Sequence, residues 1–167
     1  MAAGSMTQAR PPRVFLSYSH DSPEHQVRVL DLANQLRQWG VDTTIDQYDP
    51  SPDEGWPQWM TEQVEAADYI LLICTQTYLR RVEHRERAGT GSGVQWEGNL
   101  IYNLLYTEAT PTHKFVPVLL EGGSPDHIPL PLRGHTFYRL NSDGAFEELY
   151  RHLTKQEGNF VCCGAQR

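Results

Sequence analysis

The chain has 167 residues, of which 39% are hydrophobic and 21% charged, which is typical of one globular domain and excludes disordered or collagen-like chains. Its 14 basic and 21 acidic residues give a net charge of −7, which disfavours binding to a phosphate backbone. The longest apolar run, Tyr69–Cys74, is far shorter than the roughly 20 residues that span a membrane. No apolar stretch near the amino terminus is typical of a signal peptide. We therefore expect no nucleic-acid or membrane contact.

Three cysteines, two of them adjacent near the end of the chain, do not form a disulfide framework, which predicts a cytoplasmic protein. The first five residues precede a second methionine, Met6, and resemble an expression scar. We expect residues 1–12 to combine this scar with a disordered amino terminus. Residues 13–157 are expected to form the folded domain, and residues 158–167 a tail or the start of a linker.

Strand-like and helix-like segments alternate along the chain. Ser22, Pro23 and Glu24 are typical of the start of a helix, and Gly40 of its end. Further helices are predicted around Trp59, over 94–106 and after Ser142, whereas residues 75–93 read as a long connection. Strands are predicted over 13–18, 41–46, 69–74, 114–120 and 136–140.

This alternation indicates an α/β fold in three layers, with a five-stranded parallel sheet between helices. We predict the flavodoxin-like strand order 2-1-3-4-5. Pro117, inside the fourth strand, predicts a bulge or a place near an edge. Ligands of such folds bind outside the carboxyl ends of the strands. Here those ends carry Tyr18-Ser19-His20, Asp46-Gln47-Tyr48 and Cys74-Thr75.

Two acids could carry chemistry. Glu97 shares a helical face with Val94 and Ile101, and an acid on an apolar stripe is costly unless it is paired or faces a crevice. The alternative is an acid in the first helical turns that points to solvent and favours the helix dipole. Asp46, at the end of the second strand, either faces the crevice or caps the following turn.

Several other groups of residues give weaker indications of a functional site. His20 beside Asp21 lacks the Gly-x-Ser-x-Gly turn of a hydrolase, and residues 89–93 lack the spacing of a phosphate-binding loop. The histidines and cysteines show no metal-ligand spacing, so no metal site is predicted. The loop Gln47–Pro57 and the arginines between 80 and 87 are candidate protein contacts, or simply solvated surface. The tryptophans at 56 and 59 either contribute to an interface or pack beneath this loop.

The motifs together resemble the SEFIR branch of the TIR-like superfamily over about residues 13–156. The segment Val14-Phe-Leu-Ser-Tyr-Ser19 is similar to the first strand of that family, and Asp46-Gln-Tyr-Asp49 with Glu54-Gly-Trp-Pro-Gln-Trp-Met60 to its second strand and following loop. Segment 67–75 is similar to the third strand of that family, and segment 93–98 to the start of the helix that carries its key acid. Segments 114–118 and 128–132 continue the resemblance.

The resemblance implies one of two functions. Some TIR-like domains are homotypic signalling adaptors, and others, many of them bacterial, cleave NAD⁺ at the nicotinamide–ribose bond. For an enzyme, it places the catalytic glutamate on Glu97 and the nucleotide-lining positions on Tyr18, Ser19, His20, Asp46 and Trp96. NAD⁺ would be the substrate, and no further cofactor is expected.

We therefore expect a self-assembling NAD⁺-cleaving effector domain of bacterial antiphage defence. The alternative is a non-enzymatic homotypic interaction module of signalling. A phosphoacceptor receiver is disfavoured, because the third strand ends in Cys74-Thr75 rather than in an aspartate.

Overall fold

A five-stranded parallel sheet with the order β2-β1-β3-β4-β5 forms the centre of the molecule. A computed structural model describes residues 10–49, 51–83, 100–105, 112–141 and 144–155. The strands are β1 Arg13–Ser17, β2 Asp42–Thr44, β3 Tyr69–Ile73, β4 Phe115–Leu119 and β5 Tyr138–Arg139. The helices are α1 Pro23–Gln38, α2 Trp56–Ala66, α3 Gln76–Val82, α4 over residues 100–105, and α5 Ala145–Leu153. The predicted fold class and strand order are confirmed.

Alternating side chains of the sheet contribute to two hydrophobic clusters, because successive residues of a strand point to opposite faces. One cluster joins α1 and α5 to the first face of the sheet, through Val14, Leu71 and Val116. The other joins α2, α3 and α4 to the opposite face, through Phe15, Ile70 and Phe115. All five residues of β3 are buried, as expected of a central strand covered on both faces.

The helix boundaries follow from local chemistry. The Ser22 side chain accepts a hydrogen bond from the His25 amide and caps α1, with Pro23 in the first turn. Gly40, just after α1, has a φ of +88°, a conformation that favours glycine. Within the described part of the chain, no helix has the length and apolar character needed to cross a membrane.

One helix was missed by the sequence pattern. The predicted connection 75–93 contains α3, whose amino end is capped by the Thr75 hydroxyl accepting from the Tyr78 amide. Tyr78 and Val82 are buried on its inner side. The charged residues between these two positions, Arg80 and Arg81, made the segment resemble a loop.

Other predictions differ in smaller ways. Each strand is shorter than predicted, by one to three residues. Pro117 lies in a strand with neighbours on both sides, but next to the two-residue edge strand β5. Trp56 and Trp59 lie in the first turns of α2 and pack edge to face, with their ring centroids 5.5 Å apart. Trp59 is buried, so these tryptophans pack beneath the loop.

Candidate functional site

The carboxyl ends of β1, β2, β3 and β4 meet at one edge of the sheet, because all the strands are parallel. The residues after β1 are Tyr18, Ser19 and His20, and Asp46 follows β2 by two positions. The edge therefore brings together four of the site residues that the sequence predicted. Trp96 and Glu97 lie outside the described residues, and so does the predicted start of their helix.

Asp46 organises the first part of this edge, which we call the Asp46 cluster: Tyr18, His20, Asp46 and Gln47. The Tyr18 hydroxyl donates to Asp46 Oδ1 at 2.7 Å, and His20 Nε2 lies 2.8 Å from Asp46 Oδ2. Gln47 Nε2 in turn donates to the Tyr18 hydroxyl at 2.9 Å and to the Gln26 carbonyl at 3.0 Å. Asp46 thus joins the ends of two strands with both of its oxygens.

Exposure differs within the Asp46 cluster. The His20 side chain is 42% exposed and that of Asp46 18%, whereas Tyr18 is buried. The Tyr18 and His20 rings lie 5.1 Å apart. His20 and one side of Asp46 are therefore the parts of the cluster that a ligand could reach.

Ser19 lies beneath this surface. It is 1% exposed, and its hydroxyl donates to Asp21 Oδ1 and lies 3.2 Å from Thr75 Oγ1. Because His20 pairs with Asp46 while Ser19 pairs with Asp21, these residues do not form a Ser-His-Asp triad. Ser19 links the loop after β1 to the end of β3.

A crevice of about 290 Å³ opens beside the Asp46 cluster. We call it the β1–β4 crevice, because its walls follow β1, β3 and β4. Tyr18, a member of the Asp46 cluster, lies next to the crevice. Its ring is 6.2 Å from the ring of His25, which lines the crevice. Among its lining residues are Asp21, His25, Arg28, Thr75, Glu121 and Gly122.

Two titratable groups of the crevice have shifted pKa values. Burial lowers the pKa of His25, against the raising effect of Asp21, so the imidazole is neutral at pH 7. Burial raises the pKa of Cys74 to about 12. This thiol therefore stays protonated and is not an activated nucleophile.

Sequence reasoning missed the half of the crevice contributed by the loop after β4. The general rule for parallel sheets directs attention to the carboxyl ends of all strands, and Leu120-Glu121-Gly122-Gly123 stands at that position. His25 was missed because it lies in the first turn of α1 rather than at a strand end. In the described ranges, no group of three or more His, Cys, Asp or Glu residues is placed to hold a metal ion.

The comparisons with known proteins agree on the fold. The sequence profile of the TIR domain family matches residues 14–154. The chain is 29% identical to a prokaryotic SEFIR domain, with a TM-score of 0.66 over 85% of this chain and 92% of that one. No curated protein is significantly similar in sequence.

Two further structures share the fold at lower identity. One is the SEFIR domain of interleukin-17 receptor B, with 18% identity and a TM-score of 0.57 over 86% of this chain and 98% of that one. The other is the TIR domain of the Toll-related receptor TRR-2 from Hydra magnipapillata, with 14% identity and a TM-score of 0.57 over 84% and 97% of the two chains.

Proposed function

The chain belongs to the TIR domain family, and from that premise we propose that it is an effector domain that cleaves NAD⁺ at the nicotinamide–ribose bond when it self-assembles. One observation supports this proposal most. A polar cluster and an adjoining crevice occupy the carboxyl edge of the parallel sheet, which is where ligands bind in folds of this kind.

The reaction needs one well-placed carboxylate. Cleavage breaks the bond between C1′ of the ribose and the nitrogen of nicotinamide, which leaves as a neutral molecule with the bonding electron pair. The ribose develops the positive charge of an oxocarbenium ion, and water then adds to C1′ and releases a proton. We propose that Glu97 stabilises this charge and holds the ribose hydroxyls, as fixed negative charge does at such transition states.

The other predicted site residues would bind and orient the nucleotide. His20 and Asp46 present polar atoms that a ligand can reach, and Trp96 would stack on a ring of the substrate. Tyr18 and Ser19 are buried. They would act by holding Asp46, Asp21 and Thr75 in place rather than by touching the ribose.

Nicotinamide release from NAD⁺ tests the proposal. The unmodified chain should release nicotinamide, and Glu97→Gln should lower the rate by a factor of about 10² or more, the usual cost of removing a group that stabilises transition-state charge. Glu147→Gln is the matched control, because Glu147 is an exposed acid at the start of α5. Equal rates for the two variants would contradict the role of Glu97.

We place this activity in bacterial antiphage defence. The similarity to a prokaryotic SEFIR domain supports a bacterial source. Loss of NAD⁺ would stop the metabolism of an infected cell. Expression in bacteria should therefore reduce phage yield only for chains with an intact Glu97, and protection by Glu97→Gln would contradict this assignment.

The second candidate function is a homotypic interaction module without enzymatic activity. It is supported by the shared fold of the interleukin-17 receptor B SEFIR domain and of a Toll-related receptor. The loop after β2 carries Asp49, Asp53 and Glu54 and would be a contact surface, as would the exposed Arg80 of α3. Folded protein that self-associates but releases no nicotinamide at any concentration would favour this function.

A further inference from the structure

Two histidines line the β1–β4 crevice from different walls. His25 belongs to the first turn of α1, and His127 ends a single helical turn, Pro125–His127, in the loop after β4. An ion pair between Arg28 and Glu121, 3.9 Å apart, joins the same two walls at the surface. A change of charge on either histidine therefore acts on the packing of the loop after β4 against α1.

His127 closes its turn as a hydrogen-bond acceptor. Its Nδ1 accepts from the Ser124 amide at 3.3 Å, and the Ser124 hydroxyl accepts from the Asp126 amide at 3.3 Å. The two side chains thus cap the turn reciprocally. An imidazole nitrogen that accepts a hydrogen bond carries no proton, so the ring is neutral with its proton on Nε2. A protonated imidazole has only donors and cannot make this contact.

His25 is also neutral in this arrangement. Its Nε2 is buried and has no hydrogen-bond partner among the described residues. Burial lowers the pKa of His25 and outweighs the raising effect of Asp21, while Arg28 and His20 lower it further. A charged ring at this position is therefore costly unless water can reach it.

Charged groups from every neighbouring element surround the two rings. Arg133 donates to the Asp126 carbonyl at 3.0 Å, and α3, which carries Arg80 and Arg81, packs against the turn Pro125–His127. The carboxylates of the surroundings attract a proton, but at His25 burial prevails, and at His127 the proton would occupy the accepting nitrogen. The acids concerned are Asp21, Glu121 and Asp126.

We infer that acid opens the β1–β4 crevice, because protonation of His127 and His25 releases the loop after β4 from α1. The turn Pro125–His127 loses its cap, and two positive charges are added beside Arg28. In the open form both rings meet water and bind protons more readily. The closed form is therefore favoured at neutral pH and is lost progressively as the pH falls below about 6.5, the ordinary value for histidine.

Opening would change access to the edge of the sheet that carries the Asp46 cluster, because the crevice adjoins it. This is a conformational response of the fold, and it does not depend on cleavage of NAD⁺. Its test is therefore separate from that of the proposed function.

Amide hydrogen exchange of the full chain, followed by NMR at about pH 7.5 and about pH 5, tests the inference. Three amides report on the turn: Ser124 donates to His127 Nδ1, and His127 and Ile128 donate to the carbonyls of Ser124 and Pro125. Their protection factors, which correct for the effect of pH on exchange itself, should fall together by about fivefold or more, as expected for a lost hydrogen bond. Unchanged protection at the lower pH, or a loss at Ser124 alone, would overturn the inference.

Glutamine variants assign the response to the two histidines. His127→Gln keeps an acceptor for the Ser124 amide but does not titrate, and His25→Gln preserves the start of α1 after Ser22. The chain with both substitutions should keep the same protection in the turn at both pH values. His135→Gln is the matched control, because His135 is exposed and outside the crevice lining, and it should respond to acid as the unmodified chain does. An equal acid response of the double variant and the control would overturn the inference.

Discussion

At the scale of single residues, Asp46 joins the ends of β1 and β2 in the candidate site. Its carboxylate takes the Tyr18 hydroxyl on one oxygen and approaches His20 on the other. A hydrogen bond to a charged group contributes about 1.5–3 kcal/mol to stability, more than one between neutral groups. The position of Asp46 is therefore fixed before any ligand binds.

Removing the Tyr18 hydroxyl tests this contribution. We expect Tyr18→Phe to lower the free energy of unfolding in urea by about 1–3 kcal/mol, because a part-buried hydrogen bond to a carboxylate is lost. Tyr48→Phe is the control, since its hydroxyl donates to Asn34 at 2.8 Å on the exposed surface. An equal or larger loss for Tyr48→Phe would contradict the importance of the Asp46 cluster.

At the scale of secondary structure elements, β3 contributes all five of its residues to the two clusters of the core. Leu71 is fully buried in it, whereas Leu130, between β4 and β5, is 61% exposed. We expect Leu71→Ala to cost about 2–5 kcal/mol of unfolding free energy, because it leaves a cavity. Leu130→Ala should cost less than about 0.5 kcal/mol, and urea unfolding of the two variants compares them directly.

The packing of α5 predicts a pH dependence. His152 Nδ1 lies 2.7 Å from the Tyr138 hydroxyl, and its ring meets the Tyr69 ring edge to face. Glu148, four residues earlier on α5, interacts electrostatically with Tyr138. Burial lowers the pKa of His152 in the folded chain. The unfolded chain thus binds the proton more readily, and stability falls as the pH drops below about 6.5.

The variant His152→Asn should weaken this dependence, because its amide oxygen can still accept from Tyr138 but does not titrate. Urea unfolding at about pH 7.5 and about pH 5 should show a smaller loss of stability for this variant than for the unmodified chain. His135→Asn, at an exposed position, is the control. An unchanged pH dependence in His152→Asn would contradict the assignment.

The sequence predicted which elements form more accurately than it predicted the residues at which they begin and end. Apolar runs such as 69–74 carry a strong strand signal, whereas the buried positions of α3 are separated by Arg80 and Arg81 and give too short a pattern to outweigh the charge. The approach of Tyr18 to Asp46 was predictable, because parallel strands end at one edge. The approach of Arg28 to Glu121 was not, since it depends on how α1 and the loop after β4 pack.

At the scale of the whole molecule, the fold places one candidate contact surface next to its polar site. The site lies at the carboxyl edge of the sheet, and the acidic loop after β2 begins there with Gln47, which belongs to the Asp46 cluster. Contacts between copies through such a loop would leave the crevice open to substrate. The proposed function couples catalysis to self-assembly, and a loop that begins at the Asp46 cluster can connect the two.

Nicotinamide release from NAD⁺, measured per chain over a range of protein concentrations, tests this claim most directly. We expect the rate per chain to rise with concentration in step with the mass measured by light scattering, because the proposed function requires assembled copies for cleavage of NAD⁺. A constant rate per chain would contradict the coupling to assembly. No release from chains shown to be assembled would contradict the enzymatic function itself.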